Sequence, residues 1–125
     1  MQNNINDFKD LEVWRKSMQL VKKVYHLTRQ FPKSEQYGLT SQIRRSAVSI
    51  PSNIAEGHAR IGIKEYQHFI SIELGSSAEL ETQIILGQEL EYPFADDSEM
   101  LQSIQSIRMM LNKLYSSLSR KINKK

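Results

Sequence analysis

Apolar residues recur at helical spacing along most of the chain, and no stretch alternates between apolar and polar residues as a half-buried strand does. This pattern predicts four helices, at about residues 10–30, 35–58, 63–91 and 97–121. The connections between them are short, so we expect consecutive helices to be antiparallel neighbours. The sequence therefore predicts an all-α fold: one antiparallel, up-down-up-down four-helix bundle over residues 1–125.

The second predicted helix carries the pattern around which the bundle is organised. It places a narrow apolar stripe on one side, formed by Ile43, Ala47, Ile50, Ile54 and Gly57. Val48 and Ala55 lie roughly opposite and predict a second, smaller packing surface. Pro51 falls inside the helix and removes one backbone donor. Because the stripe keeps its phase across the proline, we expect a continuous helix that is kinked there.

Capping residues set the expected ends of the helices. Asp10 is a good N-cap for the first helix, with Glu12 in the first turn. Asp96, with Glu99 three residues later, resembles a capping box at the start of the fourth helix. Gly38 falls early in the second helix, where it either bends the helix or delays its start.

The first predicted helix has two adjoining apolar stripes, Val13-Leu20-Val24-Leu27-Phe31 and Trp14-Met18-Val21-Tyr25. Together they cover about half of the helix, which is wide enough to contact two neighbouring helices. The opposite side carries Arg15, Lys22 and Arg29 at heptad spacing, a row that we call the basic ridge. Such a row is either a solvated face or a surface for phosphate groups.

Charge is divided unevenly along the chain, although the formal net charge is only +3. Residues 1–64 carry 11 Lys and Arg against 5 Asp and Glu, whereas residues 65–125 carry 6 against 9. Two interpretations remain open. The basic and acidic segments face one another within the bundle or between subunits, or one exposed face is basic enough to hold phosphates.

The sequence offers little for catalysis. The chain has no cysteine, and it shows no Walker loop, nucleophile elbow or dinucleotide motif, so we expect no enzyme. Glu65 and His68 form one Glu-x-x-His motif, which di-iron bundles need twice, so we expect neither a metal nor a cofactor. The sequence shows no signal peptide and no apolar run that could span a membrane, and a cytoplasmic protein is the expectation.

Several polar residues fall inside the second and third predicted helices: Asn53, Glu56, Glu73, Ser77 and Glu79. Each would cost about 1–3 kcal/mol or more if it were dry and unpaired. One interpretation is a buried network in which Arg45 and Asn53 satisfy Glu73 or Glu79. The other is that some of these residues face a neighbouring subunit.

Three segments carry a resemblance to a known family: FKDLEVWRKSMQLVKKVY at 8–25, FPKSEQYGLTSQIRRSAVSIPSNIAEG at 31–57 and SSAELETQ at 76–83. They resemble bacterial four-helix-bundle proteins encoded within intervening sequences of 23S ribosomal RNA genes. The resemblance implies an antiparallel bundle that assembles into a ring-like homopentamer. It also implies a relationship to the accessory variability determinant of diversity-generating retroelements, a basic pentameric bundle that binds nucleic acid and a reverse transcriptase.

Two function classes follow. The first is a non-enzymatic, oligomeric accessory factor that binds RNA or DNA through a basic surface, with candidate residues Arg15, Lys22, Arg29, Arg44, Arg45 and Arg60. The alternative is a scaffold or assembly module that binds another protein and does not contact nucleic acid. The expected partners are further copies of the chain, with a pentamer favoured, RNA or DNA, and a protein such as a reverse transcriptase. The sequence has no aromatic-rich platform, so we expect binding driven by charge and shape.

Overall fold

The computed structural model describes residues 7–93, 95 and 98–124. Its helices are α1 (Glu12–Thr28), α2 (Leu39–His58), α3 (Ile63–Glu89) and α4 (Ser98–Asn123). Short 3-10 turns at Phe8–Asp10 and Lys33–Glu35 precede α1 and α2. The described residues contain no strand, and the predicted all-α four-helix bundle is confirmed.

The four helices form a closed ring of neighbours. α2 packs against α1 and α3, and α4 packs against α3 and α1, so that α1 and α3 occupy opposite corners. Ser49 in the middle of α2 contacts Ser76 in the middle of α3, and Gly57 near the end of α2 lies against Phe69 near the start of α3. These pairs agree with antiparallel neighbours.

The predicted core stripes are buried. In α1, the stripe that begins at Val13 and ends at Phe31 is at most 6% exposed. In α2, Ile43, Ala47, Ile50 and Ile54 are fully buried, which confirms the stripe that runs through the predicted second helix. Gly57 ends it, and a Cβ there would lie 2.7 Å from the Cβ of Phe69. Glycine is therefore needed for the close approach of α2 and α3 at this point.

The start of α1 differs from the prediction. Asp10 belongs to the first 3-10 turn, where the Asp7 side chain accepts a hydrogen bond from the backbone N–H of Lys9 (2.9 Å). The backbone then becomes extended at Leu11, and α1 begins at Glu12 without a side-chain cap. The predicted N-cap at Asp10 is wrong because Asp7, three residues earlier, caps a separate turn.

The second helix starts late, which was one of the two outcomes open for Gly38. Glu35 lies in the second 3-10 turn and accepts a hydrogen bond from the backbone N–H of Leu39 (3.0 Å), the first residue of α2. A Cβ on Gly38 would lie 2.7 Å from that carboxylate, so glycine leaves room for this contact. A hydrogen bond from Tyr92 lowers the pKa of Glu35, with the Leu39 contact adding to the effect.

Two further features of the helices bear on the predictions. α2 continues through Pro51, as expected, while the kink at that residue stays a prediction. The proposed capping box cannot be followed to its first member, since Asp96 lies outside the described residues. Within the described part of the chain, no helix combines the length and the apolar character that crossing a bilayer requires.

Candidate nucleic-acid interface

Charge separates by helix, and the two basic helices are neighbours. No Asp or Glu occurs in residues 13–34, which contain most of α1, or in residues 100–125, which contain most of α4. By contrast, α3 carries five glutamates and one lysine. Because α1 packs against α4 and lies diagonal to α3, the two basic helices form a single side of the bundle, which we call the α1/α4 face.

The basic ridge lies on the outer side of α1 and is open to solvent, and its middle residue, Lys22, also borders the space between α1 and α4. Arg15, Lys22 and Arg29 are all exposed. The Arg15 guanidinium donates to the backbone carbonyl of Asp10 (3.3 Å), and none of the three forms an ion pair with a described residue. At heptad spacing their Cα atoms repeat about every 10 Å along the helix. The ridge is thus an uncompensated row of cations.

A second cationic row, which the sequence analysis missed, lines the groove between α1 and α4. Lys16 and Lys23 are also one heptad apart, and they lie on the α4 side of α1. The Lys23 ammonium donates to the Ser103 hydroxyl across the groove (3.4 Å), and Ser106 lies on the same wall. The heptad spacing was visible in the sequence, but the identity of the facing helix was not.

The same groove opens into a cavity of about 400 Å³ close to the end of α1. Its floor is formed by Leu27 and Met100, which are 4% and 1% exposed. The polar residues that line it come from both helices: Lys22, Lys23, His26, Gln30 and Glu99. We call this space the α1/α4 cavity. It combines an apolar floor with a predominantly basic rim.

The other candidate arginines do not belong to the basic ridge, although Arg44 lies next to it. Arg44 is half-buried between α1 and α2, where its Nε donates to the Thr28 hydroxyl (2.9 Å). Its guanidinium lies 4.5 Å from the centroid of the Tyr25 ring. This geometry makes Arg44 part of the packing between the two helices, with a cation–π contact that adds to the hydrogen bond.

Arg45 and Arg60 are exposed but have acidic surroundings. Arg45 lines a groove of about 580 Å³ between α2 and α3, together with Glu79. Arg60 forms an ion pair with Glu56 (2.7 Å) and lies 5.1 Å from the centroid of the Phe69 ring. The structure therefore places the three ridge residues along one side of α1, sets Arg44 against Tyr25 and Thr28 beside the end of that row, and places Arg45 and Arg60 on other surfaces.

Arg108 of α4 forms its contacts within the bundle, with residues of α3. Arg108 donates to Glu81 on α3 (2.8 Å) and to the Ser77 hydroxyl (3.1 Å). This pair is partly buried and shows that the acidic and basic helices do face one another where α3 meets α4. Because both residues belong to the segment 65–125, this pair does not decide between the two interpretations of the uneven charge, and both stay predictions. The charges of α1 have no such internal partner among the described residues.

Glu73 places an ionisable carboxyl group in the apolar core of the bundle. It is fully buried, and neither carboxylate oxygen has a hydrogen-bond partner in the described residues. The nearby Asn53 amide favours the ionised form, but its hydrogen bond goes to the Ser49 carbonyl (3.0 Å). Burial dominates and raises the pKa of Glu73 to about 8. Arg45 is exposed, so the predicted pairing of Arg45 with Glu73 is wrong, whereas the position of Asn53 agrees with its predicted place beside this carboxylate, and a pairing of Arg45 with Glu79 stays a prediction.

This orphan carboxylate is not part of a metal cluster in the described residues, since no group of three or more His, Cys, Asp or Glu there is placed to hold an ion. Burying a neutral carboxylic acid costs less free energy than burying an ionised carboxylate. Glu73 therefore acts on stability, and its effect depends on pH.

Apolar residues remain partly exposed where α1 meets α2. Of the second α1 stripe, Met18 is 37% exposed and Tyr25 is 36% exposed, while Trp14 is half-buried. Val48 of α2 is 39% exposed on the same side, which also carries the contact between Arg44 and Tyr25. We call this surface the α1/α2 seam. A single copy of the chain does not cover it.

Comparison with known families gives a match over most of the chain. The model of a family described as 23S rRNA-intervening sequence protein matches residues 9–113. The match covers more than four fifths of the chain, including all of α1, α2 and α3 and the larger part of α4. It confirms the resemblance that the three quoted segments indicated. No curated protein matches the chain.

Proposed function

We propose that this chain, which belongs to the 23S rRNA-intervening sequence protein family, is a non-enzymatic, oligomeric accessory factor that binds RNA or DNA through its α1/α4 face. One observation carries the proposal. The two helices that lack acidic residues over nearly their whole length are neighbours, and the exposed cations of α1 form no ion pair with a described residue. A continuous basic surface of this kind attracts polyanions.

The spacing of the cations favours backbone contacts. The ridge and the row of Lys16 and Lys23 run side by side along α1, each with a repeat of about 10 Å. Phosphates within one strand are closer together than that, so each row contacts every second or third phosphate at most. One copy of the chain therefore neutralises few phosphates and binds weakly. An oligomer that presents several such faces gains affinity through avidity.

The α1/α2 seam supports the oligomeric part of the proposal. Exposed side chains such as Met18 and Val48 are those that a second copy or another protein would cover. The same observation favours the second candidate function, a scaffold that binds a protein partner through the seam. The pentamer and the reverse transcriptase that the resemblance implies stay predictions.

Salt dependence tests the proposal and separates the two functions. Fluorescence anisotropy with a labelled 20-nucleotide RNA and the corresponding DNA, each single-stranded and duplex, measures affinity between about 50 and 300 mM NaCl. We expect weak binding with a log–log slope of about −0.9 per neutralised phosphate on duplex and about −0.7 on single strands. Light scattering in parallel gives the mass of the unliganded protein. Absence of binding at 50 mM NaCl with every probe would leave the scaffold function in its place.

A further inference from the structure

We infer that the α1/α4 cavity accepts an unpaired nucleobase of the bound strand, so that the protein selects strands with unpaired nucleotides over a perfect duplex. The inference rests on the proposed function and adds the class of ligand that the face prefers. A surface of cations alone would favour the duplex, which has the higher charge density. The cavity gives the α1/α4 face an apolar recess, which a row of cations lacks.

The size and floor of the cavity suit a base. At about 400 Å³ it falls within the range of pockets that bind small organic ligands. Leu27 and Met100 give it an apolar floor, against which the face of a flat ring can pack. The floor and the Glu99 side chain at the rim make the cavity a poor site for a phosphate group, because neither compensates a negative charge.

The rim supplies what a base needs for recognition. His26 is exposed and provides an aromatic ring, one of the side chains on which unpaired bases stack. Gln30 offers an amide that both donates and accepts hydrogen bonds, as the polar edge of a base does. Lys22 and Lys23 stand at the mouth, where the phosphates on either side of the inserted base would lie.

Base pairing controls access to the cavity. A base within a duplex is stacked and paired, and extracting it costs a few kcal/mol. A base in a loop, a bulge or a single strand avoids that cost. The ridge then holds the backbone while the cavity takes one base per copy of the chain.

The first experiment compares two probes with the same backbone. One is a 12-nucleotide single-stranded DNA, and the other has the same phosphodiester backbone with abasic sites at every position. Anisotropy at about 50 mM NaCl should show at least about fivefold weaker binding of the abasic strand, the lower end of what loss of base stacking costs. A matched duplex should also bind more weakly than the single strand.

Variants place the effect in the cavity. His26→Ala and Gln30→Ala should each reduce the difference between the normal and the abasic strand and leave binding of the abasic strand unchanged. His26→Trp should restore the difference in affinity between the normal and the abasic strand. The matched control is His68→Ala, which removes an exposed histidine from α3, away from the α1/α4 face. Gln30 is exposed beyond the last residue of α1, so its variant tests the cavity even if His26→Ala perturbs the helix.

Each outcome decides between the proposals. Equal affinity for the normal and abasic strands would overturn the base-binding inference and leave the proposed function standing. Binding of neither strand would overturn this inference, and the proposed function would then be decided by the RNA and duplex probes of the salt-dependence experiment. Adenosine monophosphate serves as the third probe. If it binds while neither strand does, the cavity is a site for free nucleotides and the inference is wrong.

Discussion

The Lys23 ammonium on α1 lies 3.4 Å from the Ser103 hydroxyl on α4, so a lysine in the middle of the α1/α4 face has a neutral partner. Arg108, on the opposite side of α4, lies 2.8 Å from the carboxylate of Glu81. The two contacts show how the bundle uses its cations. Arg108, which faces α3, is neutralised within the chain, whereas Lys23, which faces α4, has no carboxylate partner among the described residues.

The first prediction concerns the basic ridge. Replacing Arg15, Lys22 and Arg29 together by Gln should abolish the proposed nucleic-acid binding at about 50 mM NaCl, because it removes the exposed row of cations on which that proposal places the phosphates. Helicity should not change, since exposed substitutions of this kind alter stability by about 0.5 kcal/mol or less each. Anisotropy and circular dichroism check the two statements.

A charge-matched variant provides the control for the ridge. Replacing Arg45, Arg60 and Lys64 by Gln removes the same number of charges from other surfaces, and it breaks the exposed ion pair with Glu56 and the contact of Arg60 with the Phe69 ring. This variant should retain most of the binding. Equal losses in the two variants would mean that net charge, and not the α1/α4 face, determines affinity.

The second prediction concerns the α1/α2 seam. Val48→Glu should convert the oligomer into monomers if Val48 is buried between copies, because an unpaired charge in an interface costs several kcal/mol. In a free monomer the same change is mild, since Val48 is 39% exposed there. Light scattering at micromolar concentration measures the mass.

Ile72→Glu is the matched control for the seam. Ile72 is 40% exposed, but it lines the groove between α2 and α3. That variant should keep the mass of the parent. If it dissociates while Val48→Glu does not, the copies meet through the other groove. A parent that is monomeric would contradict the oligomer outright.

Which features the sequence predicted, and which it did not, has a physical explanation. The core stripes of α1 and α2 followed from spacing, because an apolar row at a helical repeat must be buried somewhere. The row of Lys16 and Lys23 was missed, since spacing does not say which neighbour a row faces. Treating residues 65–125 as one acidic segment also merged α3 with α4, two helices of opposite charge.

The contact partners of individual side chains were harder to predict from the sequence than the buried face of each helix. Glu35 caps α2 from four residues before its first residue, a contact that depends on the bend at Gly38. Arg44 looked like a free cation in the sequence, yet it packs on Tyr25 and donates to Thr28. Both contacts join elements whose relative position only the folded chain defines.

The third prediction concerns Pro51. The proline leaves the Ala47 carbonyl without its helical donor, and Pro51→Ala restores one. Pro51 is buried, so we expect its geometry to be built into the packing and the substitution to give little gain in stability, or a loss. Pro32→Ala, outside the helices, controls for the effect on the unfolded chain. A gain of about 3 kcal/mol in urea unfolding would show that a kink has no role in packing.

The last prediction follows from Glu73, whose pKa burial raises from 4.5 to about 8 in the folded chain. Below about pH 4.5 the carboxyl is protonated in both the folded and the unfolded chain, and stability is highest. Between about pH 4.5 and 8 the unfolded chain releases the proton while the folded chain keeps it. The free energy of unfolding therefore falls with pH, by up to about 1.4 kcal/mol per pH unit, and levels off above pH 8.

Glu73→Gln keeps the shape of the side chain and removes the titration. Since the amide never ionises, the variant should match the parent near pH 4.5 and exceed its stability at pH 8, by about 4 kcal/mol. Urea unfolding at pH 4.5, 6, 7 and 8 and fixed protein concentration measures the difference, which isolates Glu73 from other titrating groups. Glu79→Gln, on the exposed side of the same helix, should leave the slope of the parent intact. If Glu73→Gln shows the same slope as the parent, the carboxyl is ionised in the folded chain and has a partner that stabilises its charge.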